Sequence, residues 1–187
     1  MSSDQFMFSP HVFWFFGLSG AGKSTLGAKL AGELRAIGRP VLALDGDSLR
    51  SGLCAGLGYS DLDRTENLRR AAECAKLGLE SEMCVVASFI TPRQIHRDLV
   101  TKIIGRARLS WIFVDAPLEI CRQRDRKGLY ARASAGEIPQ MTGLTSAFEL
   151  PAEADLVVPS SKEDVTASAI CVVSFGKARI AGKGTKG

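Results

Sequence analysis

At 187 residues the chain is long enough for one domain with a full core and too short for two ordinary ones. Its 45% hydrophobic and 24% charged content is that of a soluble globular protein, and no apolar run approaches the length needed to span a bilayer. The formal net charge of +4 resides in Lys177, Arg179, Lys183 and Lys186, so the rest of the chain is formally neutral, which argues against a broad nucleic-acid-binding face.

Five cysteines, Cys54, Cys74, Cys84, Cys121 and Cys171, form no C-x-x-C pair and are odd in number. They read as reduced packing residues of a cytoplasmic protein, without a zinc framework. The N-terminus, Met-Ser-Ser-Asp, lacks the basic start of a signal peptide. Residues 1–11 form an arm of little pattern that Pro10 ends.

Val12–Phe16 is apolar at every position, as expected of a central parallel strand buried on both faces. Gly17 to Ser24 then fit G-x-x-x-x-G-K-[ST], and a helical pattern with Leu26, Leu30, Leu34 and Ile37 on one stripe follows to Gly38. Strand, glycine-rich turn and helix in that order make a P-loop. Gly17, Gly20 and Gly22 let backbone N–H groups approach a phosphate chain, and the helix start adds its dipole. Gly17, Leu18, Ser19, Gly20, Ala21, Gly22, Lys23, Ser24 and Thr25 are therefore the expected ATP-binding residues. Lys23 reaches the β- and γ-phosphates, and the Ser24 hydroxyl suits a magnesium ion bridging them. A glycine turn that binds nothing is the alternative, and four fixed positions with both flanking elements weigh against it.

Pro40–Leu44 reads as a second strand ending in Asp45-Gly46-Asp47. Ligands of open α/β sheets bind beyond the carboxyl ends of strands, so both carboxylates are candidates for the site rather than for a plain surface turn. Residues 48–60 form a glycine-studded connection with Arg50 and Tyr59. Ser60-Asp-Leu-Asp63 has capping-box form and opens a helix to about Glu82. The arginines of its first turns, Arg64 among them, fit a solvated face and an anion site equally well.

Met83–Ser88 is a third strand, Gln94–Gly105 a helix, Leu109–Val114 a fourth strand and Leu118–Arg124 a short helix. Residues 124–132 mix arginine with glycine and have no long apolar face, the pattern of a mobile lid carrying cations over phosphates. A fifth strand at Asp155–Val158 and a closing helix at Lys162–Phe175 complete the alternation. The fold expected is α/β, a single doubly wound parallel sheet flanked by helices over residues 12–175. Residues 176–187 read as a basic, solvated, disordered tail.

With these pieces laid out, the chain resembles the adenylylsulfate kinase (APS kinase) family of P-loop small-molecule kinases. The resemblance rests on Phe-Trp-Phe-Phe-Gly-Leu-Ser-Gly-Ala-Gly-Lys-Ser-Thr at 13–25, Leu-Asp-Gly-Asp-Ser-Leu-Arg at 44–50 and Leu-Gly-Tyr-Ser-Asp at 57–61. It continues through Arg-Thr-Glu-Asn-Leu-Arg-Arg at 64–70, Ser-Phe-Ile-Thr-Pro at 88–92, Phe-Val-Asp-Ala-Pro at 113–117, Lys-Gly-Leu-Tyr at 127–130 and Ala-Gly-Glu-Ile at 135–138. It implies transfer of the ATP γ-phosphate to the 3′-hydroxyl of adenosine 5′-phosphosulfate, giving PAPS in sulfate activation, with ATP and Mg2+ required.

The resemblance also implies roles at matching positions. Asp45 and Asp47 position magnesium and the attacking hydroxyl, with Ser24 and Asp45 as the metal residues. Arg50, Arg64 and Asn67 hold the phosphosulfate. Tyr59 packs on the adenine, Ile90 offers a backbone contact, and Lys127 is a lid lysine at the substrate. Thr91 stands where a phosphoserine intermediate has been proposed in the family. Gln140 and Met141 take the place of an Asn-Phe pair, with Met141 where a phenylalanine stacks on the acceptor adenine. Thr91-Pro-Arg-Gln94 and Ala131-Arg-Ala-Ser134 also depart from the family pattern, so the changes gather at the acceptor end and in the lid. A same-family kinase with a different nucleotide-like acceptor is one alternative. A weakly active nucleotide-binding partner of ATP sulfurylase in a sulfate-activating complex is another. The resemblance further implies a homodimer.

Overall fold

The apolar run Val12–Phe16 forms β1, the middle strand of the sheet, and all five of its residues are buried. A computed structural model describes residues 8–125, 128–137, 140–162 and 164–181. Four further strands, β2 (Val41–Asp45), β3 (Cys84–Ser88), β4 (Leu109–Asp115) and β5 (Leu156–Pro159), pair in parallel with it in the order β2-β3-β1-β4-β5. Side chains of a strand alternate between faces. Phe13 and Phe15 therefore pack with Leu26, Leu30 and Leu34 of α1 (Lys23–Ala36), while Trp14 and Phe16 pack against the other side. That side is covered by α3 (Asp61–Glu80) and α4 (Gln94–Ile104), whose Leu68, Ala72, Leu79 and Val100 join the second core. Two cores on one sheet explain why β1 is apolar throughout.

The helices after β1 and β3 lie on opposite faces, so a crevice opens at the carboxyl ends of these neighbouring strands. In register, Phe15 of β1 stands beside Ser88 of β3, and Ser88 beside Asp45 of β2. Strands about 4.8 Å apart thus bring Asp45 within two strand widths of the end of β1.

The elements differ from the sequence expectation in three places. First, a short helix, α2 (Gly46–Arg50), starts where a connection was expected. Asp45 caps it, its Oδ1 accepting from the Asp47 N–H at 3.0 Å. Second, the lid region after α5 (Leu118–Arg124) contains a helix, α6 (Leu129–Ser134), whose Tyr130 and Ala131 N–H groups both donate to Asp125 Oδ2 at 3.1 Å. Third, the last helix, α7 (Val165–Ile180), runs past the expected end at Phe175. Gly176 does not stop it because it serves close packing. A Cβ there would lie 2.5 Å from Leu30 Cδ1 of α1. Val172, Gly176 and Ile180 form the buried stripe, Lys177 pairs with Glu33 at 2.8 Å, and Ala181 bridges back to Phe8. The rest of the expected tail, and residues 1–7 of the arm, lie outside the described residues.

The Ser60 cap is as expected, its hydroxyl accepting from Asp63 N at 3.1 Å. Because Asp is shorter than Glu, its carboxylate accepts from the Ser60 hydroxyl, at 2.6 Å. Among the described residues no helix is long and apolar enough to cross a membrane.

Candidate active site

A cavity of about 330 Å³ opens at the carboxyl ends of β1, β2 and β3. Its size is that of a ligand pocket. The P-loop forms one end. Gly17 (φ +142°) is held where a Cβ would come within 2.5 Å of Val114 O, and at Gly20 (φ +79°) a Cβ would meet Cys121 O at 2.8 Å. Only glycine lets the loop lie this close to β4 and α5. Several of the loop's carbonyls are tied from outside. Lys23 Nζ donates to Leu18 O at 2.7 Å, Tyr130 Oη to Ser19 O at 3.0 Å, and Ser160 Oγ to Ala21 O at 2.7 Å. With those carbonyls held, the loop offers its N–H groups and the start of α1 to an anion.

The acidic pair meets this end of the cavity. Ser24 Oγ donates to Asp45 Oδ2 at 2.7 Å, so a hydroxyl and a carboxylate from elements 21 positions apart converge at the head of α1. Such a pair of hard oxygens, open toward a phosphate seat, fits a magnesium ion, which takes one or two carboxylates and completes its shell with phosphate and water. Asp47 lines the same cavity.

The other end is cationic. Arg64 is 7% exposed. Its Nε donates to Tyr59 O at 2.9 Å and its Nη2 to Gln140 O. Burial, and then the neighbouring Arg50, pull its pKa down from the usual guanidinium value. A desolvated cation beside a second cation is a place that an anion stabilises. Arg50 donates to Leu57 O at 3.0 Å and Gly58 O at 2.7 Å. It lies 4.5 Å from the centre of the Tyr59 ring, with Arg64 at 5.6 Å from the same ring. Asn67 Nδ2 is buried without a hydrogen-bond partner among the described residues, and Asn67 lines the cavity. A buried donor without a partner is uncommon, and here it belongs to a residue of the cavity wall.

The cavity therefore brings together Ser19–Thr25, Asp45, Asp47, Arg50, Tyr59, Arg64, Asn67, Ile90, Gln140 and Met141. Gly17 and Leu18 belong to the loop beneath. Lys127 lies outside the described residues. Thr91 takes a part other than the expected one. It is 1% exposed, and its hydroxyl accepts from Trp14 Nε1 at 2.9 Å, on the core side of the corner. Its hydroxyl is thus engaged as a hydrogen-bond acceptor, although the residue lines the cavity.

Sequence reasoning missed Tyr130, Ser160 and Arg124 as supports of the loop. Arg124 reaches Ser160 O at 2.8 Å and lines the cavity with it. Tyr130 and Ser160 act on backbone carbonyls more than a hundred positions away, those of Ser19 and Ala21, and such partners leave no local pattern.

The model of the adenylylsulphate kinase family matches residues 9–159. An adenylyl-sulfate kinase of Aeromonas hydrophila is 46% identical over 158 residues, covering 84% of this chain and 80% of that one. One of Escherichia coli O1:K1 / APEC is 46% identical over 145 residues, covering 78% and 72%. The solved structure of the Mycobacterium tuberculosis APS kinase CysC in complex with AMPPNP and APS is similar with a TM-score of 0.85 at 38% identity, covering 90% of this chain and 98% of that one. The matched span runs from the residues before β1 to the end of β5 and so contains every element that lines the cavity except α7; the chain belongs to the adenylylsulphate kinase family.

Proposed function

We propose that the chain is an ATP-dependent adenylyl-sulfate kinase, moving the γ-phosphate of ATP to the 3′-hydroxyl of adenosine 5′-phosphosulfate. The observation that carries this is the meeting, in one cavity, of a phosphate loop, an acidic pair and a cationic end with an unsatisfied amide. A kinase needs little covalent chemistry from its protein. Positioning two anionic substrates and stabilising the charge between them are the main tasks.

The geometry supports the roles that the resemblance implies. The loop N–H groups not engaged elsewhere, as Gly17 N is with Ile90 O and Ala21 N with Leu18 O, cradle the ATP phosphates. Lys23, which donates to Leu18 O, swings to the β- and γ-phosphates. Ser24 and Asp45 would hold magnesium, which neutralises charge on the transferring group. Asp47, at the first turn of α2, orients the acceptor hydroxyl and takes its proton. Arg50 and Arg64 exchange their carbonyl partners for the phosphosulfate, and Asn67 gains the acceptor it lacks. Tyr59 and Met141 pack on the acceptor adenine, the Ile90 backbone and Gln140 border it, and Lys127 joins from the lid. The reading extends to a cytoplasmic homodimer, to be measured by light scattering, and to an association with ATP sulfurylase, to be measured by co-purification.

The test is a coupled assay with ATP, Mg2+ and a panel of nucleotide acceptors. Transfer to adenosine 5′-phosphosulfate, with the phosphate on the 3′-oxygen by NMR, is expected. Transfer only to another acceptor, or ATP binding with no transfer at all, would overturn the reading.

A further inference from the structure

Thr91 ends the segment that leaves β3, and its φ of +44° puts a β-branched residue in the left-handed region. Such a residue is strained there and keeps the conformation only where its surroundings hold it. Both of its polar groups are held. Trp14 Nε1 donates to the hydroxyl at 2.9 Å, and Arg97 Nη1 donates to the carbonyl at 3.3 Å.

The holders are themselves fixed. Trp14 is fully buried and stacks on Phe89, with ring centres 5.0 Å apart. Arg97 is 4% exposed, donates from its Nε to Gln94 Oε1 at 3.0 Å, and lies 5.5 Å from the centre of the Phe16 ring. The clamp thus hangs from two side chains of β1, the strand that leads into the P-loop. The residue before Thr91 closes the circuit, because Ile90 O accepts from Gly17 N at 3.3 Å. Ile90 and Thr91 also form part of the cavity wall.

We propose that Thr91 is a positioning residue: its hydroxyl, held by the Trp14 indole, fixes the left-handed corner that seats Ile90 between the P-loop and the acceptor. This rests on the phosphotransfer reading above. The strained corner is the joint between the two ends of the cavity. Releasing the hydroxyl lets Thr91 relax toward ordinary backbone angles and carries the Ile90 carbonyl out of line. The hydroxyl forms no covalent bond at any stage.

The test uses the full chain as wild type, Thr91→Ala, Trp14→Phe, the double variant and Thr91→Ser. Denaturant unfolding requires no acceptor. The double variant is expected to lose less stability than the two single losses together, and Thr91→Ser to keep most of the wild-type midpoint. In steady-state assays Thr91→Ala and Trp14→Phe each raise the acceptor KM roughly tenfold, with the ATP KM within about twofold and the double no worse than the poorer single. A merely structural role would lower the active fraction and leave both KM values in place, which overturns the proposal. So would additive losses in unfolding, a Thr91→Ser variant as impaired as Thr91→Ala, or a Thr91→Ala variant without turnover beside a normal Trp14→Phe. A wild-type enzyme that phosphorylates another panel acceptor refutes the acceptor reading instead, and the same comparison is then decided on that acceptor.

Discussion

At one end of the cavity the phosphate seat is backbone: a loop whose shape is set by glycines pressed against β4 and α5, and whose carbonyls are tied by Lys23, Tyr130 and Ser160. At the other end the anion seat proposed above is side chain. Arg50, Tyr59, Arg64 and Asn67 come from the α2–α3 connection and α3, and Gln140 and Met141 from the segment beyond the lid. A backbone seat is specified by where glycine sits and tolerates little change. A side-chain seat is specified residue by residue and can be altered one contact at a time. The departures from the family pattern fall at the second kind of end and in the lid, and leave the glycines of the first unchanged.

The sharpest way to break this contrast is Lys23→Ala. The loop loses its tie at Leu18 O but keeps its glycines and the Tyr130 and Ser160 ties, and the one long cation within it is gone. Turnover is expected to fall on the order of a hundredfold or more. Nucleotide binding, read by fluorescence of a labelled ATP analogue, should fall much less. Near-normal turnover would mean the backbone seat acts without its lysine.

A change that touches neither end is the control, and His11 provides it. His11 lies just before β1, at the end of the sheet away from the cavity, with Nε2 2.9 Å from Ser110 Oγ. Burial, and then the Arg179 charge, lower its pKa from 6.5 to about 4, so the folded protein holds it neutral. The unfolded chain binds that proton more readily. Stability from this group is therefore complete above pH 6.5 and falls by about 1.4 kcal/mol per unit down to about pH 4. His11→Gln should flatten that part of the stability profile in thermal melts. Because β1 carries the loop and braces Thr91, acid should weaken donor and acceptor binding together. Selective loss of one would place the titrating group at that end.

Arg64→Lys addresses the side-chain end alone. Lysine keeps the charge but loses the fork that spans Tyr59 O and Gln140 O. The acceptor KM should rise roughly tenfold while the ATP KM stays within about twofold. An equal rise in both would show that the two seats are not separable.

The same contrast governs what could be read from the sequence. The order of strands and helices was legible because β1 to β5 carry continuous apolar runs and α1 and α3 carry clear stripes. The donor end was legible because glycine spacing is itself the geometry. Asp45 was reachable through the rule that ligands gather at strand ends, and it meets Ser24 at 2.7 Å. The acceptor end was named only through resemblance, since nothing in the pattern near Arg64 distinguishes a buried guanidinium from a solvated one. Thr91 shows the limit. The resemblance pointed to chemistry at its hydroxyl, while the Trp14 partner that holds that hydroxyl lies 77 positions away and leaves no local pattern. Gly176 shows it again, because a glycine that ends a helix and one that admits a neighbouring leucine look alike in sequence.

The smallest expected effect comes from Met141→Phe. Met141 is 5% exposed and belongs to the core cluster beneath the lid while lining the cavity. A thioether against a ring is worth about 0.3–1.5 kcal/mol and an aromatic pair about 0.5–1.5 kcal/mol, so the ranges nearly coincide. The added ring also crowds a filled site, which takes back part of any gain. The acceptor KM should therefore fall by only about twofold, and the thermal midpoint should drop slightly. A much larger gain in affinity would mean that methionine is a weakened contact and that the native acceptor is bulkier or less aromatic than adenosine 5′-phosphosulfate. No change in KM with a lowered midpoint would place Met141 in the core alone and narrow the side-chain seat to Arg50, Tyr59, Arg64 and Asn67.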